Sequence, residues 1–164
     1  MIERIIGLVF VLIVVASGAM AGSDEAPVWL RQAAALPVAA FDKKVSTVVL
    51  LDESTINVTA DGRVTTTSTY AIRILTREGR DNAIATVGYE TDYEKLRDFH
   101  AWLIRPSGQV KSYGKDNVID QSNANDVYDE SRVSKIVARE DAEAGSVFAY
   151  QVTTETHPYF NQST

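Results

Sequence analysis

The fold class this sequence predicts is a mainly β protein, an antiparallel β-sandwich led by a short N-terminal helix. Three observations carry that reading. From Ser46 onward apolar residues recur at a period of two, glycine-bearing turns fold the pattern back on itself, and no segment between strands has the length and period of a crossover helix. With 164 residues, 45% hydrophobic and 23% charged, the chain holds one globular domain of ordinary size.

The first residues stand apart from that domain. Arg4 precedes an apolar run from Ile5 to Val15, and Ala19-Met20-Ala21 follows with the small-x-small pattern that a signal peptidase reads. The run is shorter than the roughly 20 residues of a comfortable membrane span. Residues 1–21 therefore read as a signal peptide cleaved after Ala21, with an uncleaved anchor as the alternative. Export to the periplasm or the extracellular space follows from either.

Residues 22–45 read as a helix and linker. Ser23, Asp24 and Glu25 offer caps, Pro27 suits a first helical turn, Trp29 to Ala35 favour helix, and Pro37 stops it. The β-sandwich domain is assigned to 46–164.

In "RVTTTSTYAIRIL" the residues Val64, Tyr70, Ile72 and Ile74 share one parity while Thr65, Thr67, Thr69 and Arg73 take the other, so one face is dry and one wet. Asp61-Gly62 between two such runs makes residues 46–75 a long hairpin, with positive φ expected at both turn positions. A second hairpin turns at Pro106-Ser107-Gly108. Its first strand carries Phe99, Ala101 and Leu103 on one face and His100, Trp102 and Ile104 on the other. Both parities being largely apolar, it is covered on both sides, in a sandwich interior or beneath the helix, with Trp102 a core residue. Residues 114–130 read as a long polar loop, after which strands resume at "RVSKIVA" and "SVFAYQVTT". The count is six or seven strands. One core is expected to take Val64, Tyr70, Ile72, Ile74, Phe99, Leu103, Phe148, Tyr150 and Val152.

The chemistry is sparse. No cysteine exists, which removes disulfides, thiolate metal sites and a thiol nucleophile. Sixteen basic against 22 acidic residues, a net −6, disfavours nucleic acid and anionic membranes as partners. His100 and His157, the two histidines, lack HxH or HxxxH spacing; His100 lies in a buried-looking strand and reads as a satisfied structural histidine. No GxSxG elbow accompanies either. Asp116, Asp120, Asn123, Asn125, Asp126, Asp129 and Glu130 offer oxygen donors of the kind calcium takes, without EF-hand spacing, so the default is a solvated loop. Asn57 and Asn161 head glycosylation tripeptides. No catalytic, cofactor or metal residue is assigned.

The segments "PVWL", "VVLLDESTINVTADGRV", "IRILTREGRD", "DYEKLRDFHAWLIRPSGQV", "YDESRV" and "AEAGSVFAYQVTTE" resemble the bacterial family called domain of unknown function 3857. The most specific parts run from Leu51 to Gly79 and from Ala101 to Val110, where Arg-Pro-x-Gly stands for the family's frequent Arg-Pro-Asp-Gly. The resemblance implies an exported, non-catalytic β-sandwich that stands in front of a transglutaminase-like core, the core supplying the catalytic Cys, His and Asp. A downstream transglutaminase-like domain or another exported protein is then the implied partner. Members usually continue well past the length of this chain, and Tyr159 and Phe160 close to its end need cover, so more chain is expected after Thr164. The alternatives are a self-standing hydrolase using a serine with His100 or His157, and a glycan or peptide binder using Tyr89, Tyr93, Tyr113 or Tyr128. N-terminal sequencing of the exported protein is expected to begin at Gly22; an intact Met1 in the membrane fraction would favour the anchor.

Overall fold

The computed structural model describes residues 25–42, 44–122 and 130–158. The segment 1–21 read as a signal peptide, the candidate caps Ser23 and Asp24, the residues Asn123, Asn125, Asp126, Tyr128 and Asp129, and Tyr159, Phe160 and Asn161 lie outside the described residues.

One helix and eight strands follow in order: α1 (Val28–Ala34), β1 (Thr47–Val58), β2 (Val64–Ile74), β3 (Ile84–Glu90), β4 (Glu94–Ile104), β5 (Val110–Tyr113), β6 (Ile119–Ser122), β7 (Ser131–Val137) and β8 (Val147–Thr156). They form a five-stranded sheet in the order β1-β2-β8-β4-β5 and a three-stranded sheet β3-β7-β6. Every pairing is antiparallel. The fold is the β-sandwich with a leading helix that the periodicity predicts, with two more elements than the alternation revealed. β3 was hidden because Gly88, followed by Tyr89 and Glu90, blurs its pattern. β6 lies inside the stretch read as loop, since its four residues are all exposed and carry no apolar alternation.

The core between the sheets takes the expected parity. Ile72, Ile74, Phe99, Leu103, Phe148 and Val152 are buried in one cluster with Ala83, Ala85 and Ile136 of the small-sheet side, and Tyr70 and Tyr150 pack against it half-buried. Val64 is the exception: it is half-buried and outside that cluster, because β2 runs on past the edge of the smaller sheet. Two bulges hold this register. Between Val49 and Leu51 the extra residue Leu50 lets both leucines reach the α1 side, and between Leu96 and Asp98 the extra Arg97 puts Leu96 and Phe99 on the same face.

Both hairpins turn in one way. Gly62 N–H donates to the Thr59 carbonyl at 2.9 Å and Thr59 N–H to the Arg63 carbonyl at 2.9 Å; Gly108 and Arg105 repeat the pattern on Arg105 and Gln109, both at 2.8 Å. Only the glycines have positive φ, 82° and 85°. Asp61 is therefore not left-handed as expected: the loop is a three-residue type, a right-handed turn followed by one glycine, which needs a single positive φ. Asp61 instead accepts from the Thr59 hydroxyl and the Arg63 guanidinium, which hold its carboxyl down at about 2.

On the outer face of the large sheet, α1 seats Leu30 and Ala33 over the small side chains of Ala71 and Ala149. Trp102 lies beneath this helix, not in the sandwich interior, with Trp29 edge-on to it at 5.9 Å and 84°. The helix has Pro27 as its N-cap residue and no side-chain cap; Glu25 pairs with Arg31 at 2.6 Å instead of capping. At the other end the Arg73 guanidinium donates to the carbonyls of Ala34 and Leu36, satisfying groups that a helix terminus leaves open.

Asp141, between β7 and β8, ties the second hairpin to the rest. It accepts from Lys111 Nζ at 2.6 Å, from the Tyr113 hydroxyl at 2.8 Å, and from Arg105 at 3.4 Å. The lysine contact, then the tyrosine hydrogen bond, hold its carboxyl below the ordinary range, while burial and the adjacent carboxylate push the Tyr113 phenol up. A depressed carboxyl stabilises the fold fully above the unfolded value near about 3.9 and loses that contribution as pH falls through the lower folded value. Asp141→Asn is thus expected to cost about 1–2 kcal/mol at neutral pH, and the gap in urea midpoint between wild type and variant should close as the pH is lowered towards about 2. In the apolar core, Phe148→Ala should cost about 3–5 kcal/mol in urea unfolding, while Ile56→Ala, on a residue 64% exposed, should stay within about 0.5 kcal/mol.

Candidate functional site

β5 pairs only with Ala101 to Ile104, so β4 has no partner on that side from Glu94 to His100 among the described residues. Beside this open stretch lies a groove of about 310 Å³ lined by Leu96, Arg97, Asp98, Phe99, His100, Lys115 and Val118. Its floor is apolar because the bulge at Arg97 turns Leu96 and Phe99 inward together. Its rim is charged.

His100 occupies that rim. Its Nδ1 is 2.9 Å from Asp98 Oδ1, its ring stacks on Trp102 at 5.9 Å and 23°, and a Cβ at Gly114 would come within 3.3 Å of Nε2. The strand explains the pairing: residues two apart on a strand share a face, so Asp98 and His100 project side by side. His100 is therefore not buried as the apolar look of its strand suggests. Its side chain is 40% exposed, on the outer face, and satisfied by a carboxylate.

A histidine that donates from Nδ1 to a carboxylate presents Nε2 as an acceptor, the arrangement of a general base. Among the described residues the groove gives that base nothing to activate, for no serine, threonine or cysteine of theirs lines it. The pair also stands in solvent, where its electrostatic leverage is small. His157 forms no part of the same site: it follows the end of β8, with Nε2 3.6 Å from Glu155, and Glu155 itself is engaged by Arg97 at 2.6 Å.

The other sequence candidates disperse. Asp120 accepts from Arg132 and from the Ser134 hydroxyl at 3.0 Å, with the Tyr89 hydroxyl at 3.3 Å, and the guanidinium holds its carboxyl down. Glu130 accepts from the Thr91 hydroxyl at 2.6 Å, and Asp116 stands exposed in a short turn. Among the described residues no three acids or histidines gather as a metal site would require. Tyr113 is buried, and Tyr89 is committed to Asp120 on the small sheet, so these tyrosines do not make one open aromatic face. Asn57 is exposed on β1.

Sequence reasoning missed the Asp98–His100 pair, although the D-x-H spacing within a strand was the signal for it. It also missed the Asp141 cluster, whose members come from three separate segments and leave no local trace.

Comparison with the curated proteins finds no match. Among solved structures, the fold matches a crystal structure of a candidate protease from Parabacteroides distasonis with a TM-score of 0.62 at 12% identity, over 71% of this chain and 24% of that one. The chain thus spans about a quarter of the length of the protein it matches, and the likeness is one of fold. The family model described as "Domain of Unknown Function with solved-structure structure" matches residues 60–163, from the turn after β1 through β8. The chain belongs to this family, DUF3857.

Proposed function

We propose that this chain is a non-catalytic accessory domain, one that binds a partner domain or protein and does no chemistry of its own. The observation that carries the reading is the His100 groove: a histidine–carboxylate pair is present, but no hydroxyl or thiol of the described residues lines the groove for it to activate. The absence of cysteine from the sequence agrees with this, since a transglutaminase-like nucleophile would have to come from another segment or another chain. Support for an accessory role comes also from the solved structure, in which the matching fold is a minor part of a much longer chain. In the fuller form of the proposal, the protein is exported, by the signal-like residues 1–21, and serves a transglutaminase-like enzyme. Among the described residues no helix is long and apolar enough to cross a membrane.

The second reading is a hydrolase, and the one observation favouring it is the Asp98–His100 pair at 2.9 Å. Esterase and peptidase substrates separate the two. The purified protein is expected to turn over none of them above the level of a His100→Ala variant. Turnover that disappears in His100→Ala, with circular dichroism and urea midpoint unchanged, would replace the accessory reading with the hydrolase.

A further inference from the structure

β1 is an edge strand of 12 residues, and among the described residues no strand pairs with its outer side. Such a strand offers a row of unmet N–H and C=O groups, and proteins usually blunt it with lysine, proline or a covering segment. β1 has no lysine or proline, and its one bulge lies at Leu50, before the long run Asp52–Val58. The run alternates cleanly. Asp52, Ser54, Ile56 and Val58 face the sandwich side, opposite Tyr70, Ser68, Thr66 and Val64, while Leu51, Glu53, Thr55 and Asn57 face the helix side.

Two features beside this edge specify what would pair with it. On the helix side lies an apolar cavity of about 260 Å³ whose walls include Trp29, Ala33, Leu36, Leu50 and Leu51, with Glu53 at its margin. Leu50, Leu51 and Glu53 of the edge strand itself line it, so a strand added beside β1 would run next to it. The second feature is charge. Asp52 and Glu53 are exposed, point to opposite faces, and form no salt bridge among the described residues. On the sandwich side, Ile56 and Val58 are 64% and 63% exposed and would be covered by the same added strand.

We infer that the β1 edge is a docking site for an extended peptide segment of a partner protein, with an apolar residue beside Leu51 and consecutive basic residues beside Asp52 and Glu53. Main-chain hydrogen bonds to β1 supply the affinity, and the cavity and the two carboxylates supply the selection. A second copy of this chain fits the edge less well. Its own β1 would bring Asp52 and Glu53 a second time into an interface already acidic, between molecules that each carry a net −6. This inference rests on the accessory reading and names the chemistry of the partner.

The probe is a fluorescently labelled peptide, Thr-Leu-Lys-Lys-Thr-Val-Thr, titrated into the full chain at low salt and followed by anisotropy. Its twin with glutamate for both lysines is expected to bind roughly tenfold more weakly, and a backbone N-methylated version should not bind. In the Asp52→Lys/Glu53→Lys variant the preference should invert towards the glutamate twin, which a merely misfolded protein could not produce. Equal binding of the two peptides, binding indifferent to N-methylation, or no binding of the lysine peptide would each overturn the inference. So would a dimer in sedimentation equilibrium that Thr55→Pro dissociates, since the occupant would then be a second copy. Any of these with a blank hydrolase screen strikes the β1 site alone; His100-dependent turnover strikes the accessory reading itself.

Discussion

The fold depends on one insertion: β8, the last strand among the described residues, enters between β2 and β4 and is hydrogen-bonded along both sides. Val147, Phe148 and Ala149 are all buried, which on a strand means that both faces are covered at once. Phe148 fills the space between the sheets, while Val147 and Ala149 form the floor on which α1 sits. Without β8 the two hairpins would be separate ribbons, each with a bare edge, and isolated hairpins are marginal in water. The cost is kinetic. Thr67 meets Thr153 across 86 residues of chain, so the central contacts close long loops, and contacts of that kind slow folding.

The two sheets are unequal, and the inequality determines what the surface can do. Three short strands cannot cover a sheet of five in which four strands are 10 to 12 residues long, so β1 and the first half of β4 extend beyond the shared core. The bulges at Leu50 and Arg97 fall near these boundaries. Each lets one strand serve a buried region and an open one: the bulge at Leu50 gathers two leucines under the helix before the polar run, and the bulge at Arg97 turns Leu96 and Phe99 inward before Asp98 and His100 turn out. Uncovered strand is a hazard for a protein that must stay monodisperse. In a binding domain it is the working surface.

What could be read in the sequence was whatever a strand writes locally. The parity of Tyr70, Ile72, Ile74, Phe99, Leu103, Phe148, Tyr150 and Val152 was legible because burial on one face imposes a period of two, and agreement across three strands is hard to counterfeit. Val64 obeyed the parity yet escaped the core, since parity says which side a residue faces and nothing of whether a second sheet reaches it. β6 was illegible because an exposed four-residue strand has no apolar face to mark it. The Asp61 conformation was misjudged because a two-residue and a three-residue loop can share the same Asp-Gly letters, and flanking hydrogen bonds decide between them. For the candidate site, the identity of His100 was visible and its environment was not: an apolar-looking strand has two outer ends, and only the pairing shows that β5 stops before reaching His100.

Charge completes the picture, because four acids that fasten the fold differ in their surroundings from two on the β1 edge. Asp61, Asp120, Asp141 and Glu155 each accept from a cationic side chain and have their carboxyls held down, Asp61 by the Thr59 hydroxyl first and then by Arg63, the others chiefly by the cation, and each fastens a turn or joins strands. Asp141 joins a hairpin to the loop before β8; Asp120 joins β6 to β7; Glu155 joins β8 to β4 through Arg97. These acids serve structure, and their basic partners are spent on them. Asp52 and Glu53 lie instead on a strand edge with no such partner among the described residues, where exposed carboxylates contribute nothing to the fold that asparagine or threonine would not. Asp52 and Glu53 add to a net −6 chain two unbridged carboxylates on neighbouring residues of an open edge, a place where backbone pairing is also available. Steering and docking then act on the same few residues, which is the condition for a weak edge contact to become a selective one.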